Sequence, residues 1–257
     1  MNSRMETFHQ IERHFFSLIS TDLLLLQTLN ACISEVPVST LNPAFYLGEY
    51  HLLEADICKC KRFYKGYSTP WTLVVPEYLS NSQIINLLTR SGFHYIDQGV
   101  AMYLAVRDLE IPELESDLLV RRMDKDIRTW ILPSIPAFDS TEEIAAIYRL
   151  RHQEAIQKSS EIYHFSGFIQ DEIVSSLTLT IEGEGARIDD VATFPNYQNK
   201  GYATQLILST LQVLKESNIP WCFLEASNVG LNIYKKIGFH ELFKNHYYEE
   251  HDQYDQN

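Results

Sequence analysis

The sequence is poor in cysteine, and its few cysteines show no disulfide-framework spacing. Four cysteines occur among 257 residues, at Cys32, Cys58, Cys60 and Cys222. Cys58-Lys-Cys60 is one residue short of the C-x-x-C spacing of zinc and redox sites. We therefore expect reduced thiols and no metal; a site built from Cys58, Cys60 and nearby histidines is the weaker alternative.

Positive charge is also scarce. Lysine and arginine number 21 against 34 acidic residues, which gives a formal net charge of −13. Nucleic-acid phosphates would be repelled unless a basic patch were segregated, and the sequence shows no such patch. We expect no nucleic-acid partner. The acidic balance is compatible with a cationic substrate, although most acidic surfaces merely keep a protein dissolved.

No hydrophobic segment is long enough to suggest a membrane span. The most apolar N-terminal run, 15–33, is interrupted by polar residues such as Ser17, Asp22 and Asn30. No small-residue cleavage site follows a basic start, so we see no secretory signal. We expect a cytoplasmic protein with no membrane partner.

The common glycine-rich phosphate motifs are missing. No run matches the Walker loop, which needs Gly, four residues and then Gly-Lys-Ser/Thr. Gly183 and Gly185 lie in a Glu-rich turn without the third glycine of a dinucleotide fingerprint. Any nucleotide would have to be held in another way.

A different anion-binding arrangement is present over residues 186–204. The β-branched and aromatic residues up to Phe194 predict a strand, which Pro195 ends. A short polar loop follows, and a helical pattern begins at Ala203. Strand, tight loop and helix direct free backbone N–H groups at an anion, while Gly201 permits close approach and Lys200 adds positive charge. We interpret this stretch as a pyrophosphate cradle.

The spacing Gln198-x-x-Gly201-x-Ala203 resembles the Q/R-x-x-G-x-G/A signature of the GNAT superfamily of acyl-CoA-dependent N-acyltransferases. The preceding segment 191–195 resembles that family's cofactor-binding strand, and 225–239 resembles its second motif. The resemblance covers residues 117–250. It implies an α/β (α+β) GNAT fold with a mixed central sheet flanked by helices, in which the parallel strands 186–194 and 221–226 splay apart.

The resemblance also implies acetyl-CoA as the cosubstrate and assigns the residues that would bind it. Ser227 stands where the family often has asparagine, and Gly230 would allow close approach of CoA. The implied cofactor-binding residues are Val191, Ala192, Thr193, Gln198, Asn199, Lys200, Gly201, Tyr202, Ala203, Thr204, Ser227, Asn228 and Gly230.

For catalysis, Tyr234 matches the family's general acid, and backbone N–H groups near Val191 and Ala192 are the expected oxyanion donors. The base is Asp189 or Asp190, or else a water-mediated base elsewhere. These two adjacent residues of a strand point to opposite faces unless a bulge intervenes. Held in reserve as bases are Glu161, His164 and Glu225; a lone His164 is more often structural than catalytic.

The implied function is transfer of an acetyl group from acetyl-CoA to a primary amine of a small molecule or peptide, by direct transfer. One alternative is an acyl-CoA-binding sensor or interaction module without turnover, and another is a structural protein built on the same fold. The acceptor, acyl-chain length and oligomeric state are not encoded in readable motifs; a homodimer is possible.

The N-terminal part echoes the C-terminal part. Pro70-Trp71 corresponds to Pro220-Trp221, and Gly92-Phe93-His94 corresponds to Gly238-Phe239-His240. Leu88 stands where the second copy has Tyr234, so residues 1–110 are predicted to form a degenerate, non-catalytic half of the same fold. The charged segment 107–116 is the expected linker, 117–250 the complete catalytic domain and 251–257 a frayed tail.

Local patterns predict the remaining elements. Residues 3–34 suggest helix, broken near Ser20-Thr21-Asp22. A strand-like hairpin is expected over 44–57, a strand over 70–76, a helix over 80–91 and a hairpin over 93–106. In the C-terminal part we expect strands 118–123, 163–169 and 173–181, helices starting near Asp124 or Asp126 and at Glu142, and a final hairpin reaching residue 250.

Overall fold

The computed structural model describes residues 3–110 and 117–250. The predicted tail, 251–257, and most of the predicted linker lie outside the described residues. The described residues form two compact units by their contacts. The larger unit comprises 3–19, 101–110 and 117–242, and the smaller unit comprises 20–100 and 243–250.

The helices and strands alternate along most of the chain. In the first half they are α1 (Ser3–Ile19), β1 (Asp22–Leu25), β2 (Leu29–Ile33), β3 (Pro43–Tyr46), α2 (Leu53–Tyr67), β4 (Thr72–Pro76), α3 (Ser82–Arg90) and β5 (Phe93–Ala105). In the second half they are β6 (Leu119–Arg122), α4 (Ile127–Trp130), α5 (Ser134–Ala137), α6 (Glu142–Lys158), β7 (Ile162–Ile169), β8 (Glu172–Glu182), β9 (Gly185–Thr193), α7 (Tyr202–Glu216), β10 (Trp221–Ala226), α8 (Leu231–Ile237) and β11 (His240–Glu250).

The larger unit is a mixed sheet covered on both faces. Its strand order is β5-β10-β9-β8-β7-β6, antiparallel from β6 to β9 and parallel between β9 and β10. Every residue from Val174 to Thr180 of β8 is buried, so both faces of that strand are covered. Helices α1 and α7 both pack on β8 and β9, and α1 also packs on α6. Helices α1 and α6 therefore form one layer and α7 the other, which confirms the predicted fold class.

Local capping explains where helices of this unit begin. The Asp126 carboxylate accepts a hydrogen bond from the Thr129 N–H at the start of α4. The Thr141 hydroxyl accepts one from the Ile144 N–H at the start of α6. The helix starts near Asp126 and at Glu142 are those expected from the sequence.

The parallel strands β9 and β10 stay together only briefly. Their ladder consists of the pairs Gly185 with Trp221, Ala186 with Cys222 and Arg187 with Phe223. Beyond Arg187 no ladder pair joins the two strands in the described residues, so their pairing ends there. This is the predicted splay.

The smaller unit follows the same chain path as the C-terminal part of the larger one. Its strand order is β1-β2-β3-β4-β11-β5, with β3 and β4 parallel. The succession β3-α2-β4-α3-β5 repeats β9-α7-β10-α8-β11. Its core is centred on Tyr64, whose ring stacks on Trp71 with centroids 4.5 Å apart. The predicted half-fold of related architecture is therefore present.

The structure corrects two predictions in this unit. Residues 22–33 form the antiparallel pair β1 and β2 and not a helix. The leucine spacing fits both the helical and the strand period, and the pairing of the two strands selects the strand. Residues 53–57, the end of the strand-like hairpin expected over 44–57, belong to helix α2 instead. Leu53, Ile57 and Tyr64 recur at helical spacing and form the buried face of that helix. The turn at Gly48 (φ +101°) precedes it.

Both expected hairpins are single strands. Strand β5 runs unbroken from Phe93 to Ala105 and β11 from His240 to Glu250. Each contributes residues to both units. The units therefore differ from the predicted domains 1–110 and 117–250. Helix α1 belongs to the larger unit, and residues 243–250 belong to the smaller unit. None of the helices described is long and apolar enough to cross a membrane.

Replacing Ile11 by alanine should loosen the larger unit selectively. Ile11 of α1 is fully buried, and removing such a side chain costs about 2–5 kcal/mol. Amide hydrogen exchange of β8 and β9 should accelerate more than that of β2 to β4. The matched control is Ile84→Ala in α3, which is 1% exposed and should have the opposite effect. Equal losses of protection in both units from each variant would contradict the placement of α1.

Candidate functional site

The predicted pyrophosphate cradle is an exposed turn at the start of α7. Asn199 (φ +61°) and Gly201 (φ +84°) both adopt left-handed backbone conformations, which turn the chain sharply into the helix. Residues 198–201 are exposed. No side chain caps the first turn of α7 in the described structure, and Gly201 has none to offer. The first N–H groups of the helix, those of Tyr202, Ala203 and Thr204, are therefore available to an anionic ligand.

The turn is fixed to the strand that precedes it. The Gln198 side-chain amide donates to the Thr193 carbonyl at 3.2 Å. The Lys200 ammonium lies 5.1 Å from the centre of the Tyr197 ring, whose hydroxyl donates to Glu172 at 2.8 Å. The signature glutamine thus has an intramolecular role, because it holds the loop against the end of β9.

Backbone groups line the gap between β9 and β10. The Phe194 N–H donates to the Val174 carbonyl of β8, so Phe194 and, two residues earlier, Ala192 direct their backbone groups toward β8. Val191 and Thr193 direct theirs the other way, toward the side from which β10 has diverged. Of the two expected oxyanion donors, the geometry favours the Val191 N–H.

A β-bulge settles where the two aspartates point. The pairing of β8 with β9 shifts between Ser176 and Thr178, and Asp190 at the shift has φ +56°. Asp189 pairs with Arg187, which contacts α1, whereas Asp190 accepts from Tyr148 of α6. Because α1 and α6 form one layer, the bulge brings both carboxylates to the same face.

Asp189 lies in a buried cluster of charges around Arg187. The Arg187 Nε donates to the two Asp189 oxygens at 2.9 and 3.0 Å. The Arg187 Nη1 lies 3.7 Å from a Glu12 oxygen, and the charge of Glu225 also acts on this guanidinium. One cation thus serves three carboxylates. Burial raises the pKa of Asp189 to about 6, with Arg187 opposing the rise and Asp190 adding to it.

Asp190 is held by two hydroxyl groups. One oxygen accepts from the Tyr148 hydroxyl at 2.7 Å and the other from the Thr178 hydroxyl at 2.6 Å. Burial raises the pKa of Asp190, and these two hydrogen bonds oppose the rise. Both carboxylates thus have both oxygens engaged, Asp189 by the charged guanidinium of Arg187 and Asp190 by two neutral hydroxyls.

Tyr234 lies on α8 and keeps its proton at neutral pH. Burial, with a further contribution from the charge of Asp189, raises the pKa of Tyr234 to about 12. The ring packs edge-on against Phe239 with centroids 6.0 Å apart. A Cβ at Gly230 would lie 3.0 Å from the Tyr234 ring, so this glycine makes room for Tyr234.

The turn before α8 carries the remaining predicted cofactor residues. The Ser227 hydroxyl accepts from the Gly230 N–H at 3.3 Å, and the Ser227 carbonyl accepts from the Leu231 N–H. Ser227 therefore caps this turn, as expected, and Asn228 lies within it.

The reserve bases have other surroundings. His164 forms a buried pair with His152 at 2.8 Å. Glu161 groups with His14 and Glu182, whose potential ligand atoms lie within 4.8 Å of one another. Exposed acidic groups of this kind commonly gather without an ion, so we assign no metal there.

Sequence reasoning missed several residues around the aspartates. Arg187 carried a signal, because it lies two positions before Asp189 and so shares its face of the strand. Tyr148 and His152 are four residues apart and share one face of α6. Glu12 carried none, because α1 is distant in sequence from β9.

Comparisons with known proteins agree with this architecture. The model of the acetyltransferase (GNAT) family matches residues 125–239. A GCN5-related N-acetyltransferase from Kribbella flavida is 12% identical over 95% of this chain and 95% of its own, with a TM-score of 0.71. One from Sphaerobacter thermophilus is 16% identical over 87% of this chain and 76% of its own, with a TM-score of 0.64.

A tandem GNAT protein from the clavulanic acid biosynthesis pathway is 12% identical over 86% of this chain and 78% of its own, with a TM-score of 0.60. Likeness at these identities shows the fold alone. No curated protein matches the chain significantly. The family match, the splayed strands and the turn before α7 agree, and residues 125–239 are an acetyltransferase domain of the GNAT family.

Proposed function

We propose that this protein transfers an acetyl group from acetyl-CoA to a primary amine. The observation that carries the proposal is the exposed, uncapped turn at the start of α7, which follows β9 where its ladder with β10 has ended. The charge of Asp189 on β9 also acts on Tyr234. Membership of the GNAT family suggests acyl transfer from an acyl-CoA. That the acyl group is acetyl and that the acceptor is a primary amine are both part of the proposal.

The residues present fit acetyl-CoA. Its diphosphate would bind the N–H groups that open α7, with Lys200 adding charge, and a Cβ built at Gly201 meets only the Gln205 amide, at 3.8 Å. Its amide-rich arm would hydrogen-bond to the gap-facing backbone of Val191 and Thr193, as an added strand does. Acetyl-CoA would supply the thioester that makes the acetyl group transferable.

The chemistry requires three things from the protein, and the described residues provide them. Asp189 accepts the proton that the substrate ammonium must lose before nitrogen can attack. The Val191 N–H stabilises the negative charge that develops on the carbonyl oxygen. Tyr234 donates a proton to the departing thiolate.

The charges around the site favour a cationic acceptor. Asp189, Glu12 and Glu225 surround the single cation Arg187, and Asp190 lies beside them. Such an excess of carboxylates attracts an ammonium group and repels an anionic substrate. The acceptor is therefore a small-molecule or peptide amine, and a homodimer remains a prediction.

Replacing Gly201 by glutamate should abolish acetyl-CoA binding, because a carboxylate would lie against the diphosphate. Isothermal titration should show at least a hundredfold loss of affinity, which corresponds to about 2.7 kcal/mol. The control is Gly183→Glu, the same change at another left-handed glycine (φ +58°), in a turn with open space around it. Unchanged affinity in folded Gly201→Glu would refute the cradle.

Replacing Tyr234 by phenylalanine should lower kcat while the Kd of acetyl-CoA stays the same. Loss of a general acid reduces the rate by about 10²–10⁴-fold. Thiol release in the presence of an amine panel measures the rate, with Tyr50→Phe, an exposed tyrosine of the smaller unit, as the control. If wild type binds acetyl-CoA and acetylates nothing on a broad panel, the sensor function is correct instead.

The activity should rise with pH through about 6 as Asp189 ionises. Measured as kcat/KM against pH, this acidic limb should disappear in Asp189→Asn, together with most of the activity. Stability should change the opposite way. Because folding raises this pKa from 3.8 to about 6, the folded state binds the proton more tightly, and the free energy of unfolding falls as pH rises across that window. A limb that persists in Asp189→Asn would remove Asp189 from the mechanism.

A further inference from the structure

A chain of buried side chains leads away from the carboxylate pair. His152 Nε2 lies 3.7 Å from an Asp190 oxygen, and His152 Nδ1 lies 2.8 Å from His164 Nε2. His164 Nδ1 in turn lies 3.0 Å from an oxygen of Asp124. Asp124 follows β6 and also pairs with Arg122, an exposed residue. The chain thus runs from the site to the edge of the larger unit.

The hydrogen bonds fix the tautomers of both imidazoles. Burial alone would raise the pKa of Asp124, but hydrogen bonds from His164 and Arg122 hold it below its usual value. An ionised Asp124 only accepts, so His164 carries a proton on Nδ1, and in its neutral form it has the lone pair on Nε2. His152 must then donate from Nδ1, which leaves the lone pair of its Nε2 facing Asp190.

At the His152 end of this row of side chains, a hydrogen bond to Asp190 would need one more proton. His152 Nε2 is buried and has no hydrogen-bond partner in the described part of the chain. An imidazole lone pair and a carboxylate oxygen 3.7 Å apart repel each other unless a proton lies between them. A purely structural pair would satisfy itself internally, whereas this one leaves an acceptor directed at the site.

The surroundings exclude water from the chain. Both histidines are fully buried. The Trp130 ring packs against both imidazoles with centroids 4.7 and 4.6 Å away, and Tyr148 and Phe15 cover His152. Burial, with a further contribution from His164, lowers the pKa of His152 well below its usual value, so His152 itself is neutral at neutral pH.

We propose that Asp190, His152, His164 and Asp124 form a proton relay that carries the proton lost by the acceptor ammonium out to solvent. The inference rests on the proposed function. One proton reaches His152 Nε2 from the carboxylate pair, the Nδ1 proton of His152 passes to His164 Nε2, and the Nδ1 proton of His164 passes to Asp124. Two N–H bonds form and two break, so one proton leaves for each one that enters. Rotation of both rings then restores the starting direction of the hydrogen bonds without moving a proton back along the relay.

The first test is Asp124→Asn. The asparagine oxygen still accepts from His164, but the amide takes up no proton, so the relay is blocked at its exit. We expect kcat to fall about tenfold or more, as for a lost acid–base group, with an unchanged KM for acetyl-CoA and a larger solvent deuterium isotope effect. The control is Ser166→Ala, a buried residue two positions beyond His164 on β7. Full kcat in Asp124→Asn would overturn the relay.

The second test needs no acceptor. Nitrogen-15 NMR of the histidine side chains in wild-type protein at pH 7 should show both rings neutral and protonated on Nδ1. A proton on Nε2 of either ring overturns the relay, while the acetyl-transfer reaction itself would stand. Wild type that binds acetyl-CoA but shows no transfer overturns the relay and the proposed function together.

Discussion

The separation of β9 from β10 after three residue pairs is the constraint on which the rest depends. Parallel strands satisfy each other's backbone groups, and strands that part leave those groups to a ligand. The same parting exposes the backbone of Val191 and Thr193 and keeps the first turn of α7 open. A bulge at Asp190 then places two adjacent carboxylates on one face, which an unbroken strand could not do.

Burying so many carboxylates in one place requires a cation, Arg187, and two of the residues beside that cation come from outside the matched family region. Glu12 on α1 shares Arg187 with Asp189, and the Phe8 ring lies 5.2 Å from the same guanidinium. Burial and the excess of negative charge together raise the pKa of Asp189 to about 6. Helix α1 thus belongs to the site energetically, although it begins the chain.

The smaller unit shows the same chain path without the chemistry. Its β3-α2 junction carries Glu49, and Glu54 and Asp56 lie in the first turn of α2. These carboxylates favour the helix start but repel a diphosphate. Leu88, buried in the core, stands in place of a tyrosine acid. One scaffold therefore appears twice in the chain, once with the residues for acyl transfer and once with residues for packing.

The sequence by itself determined the elements whose signals are local. The strand 221–226, the helix starts near Asp126 and at Glu142 and the turn at Gly201 were predicted because turn residues, caps and periodicity act within a few residues. Their combination was enough for the family, while the pyrophosphate-binding role of the turn stays a prediction. Which carboxylate is the base stays a prediction.

Only the tertiary structure decided the rest. Residues 22–33 are strands because they pair with each other, and α1 lies on β8 and β9 although 1–110 suggested a separate domain. The contacts of Arg187 with Glu12 and of His152 with His164 and Asp124 join residues from different elements. A local pattern carries no information about such partners, because their energies arise only when folding removes water from between them.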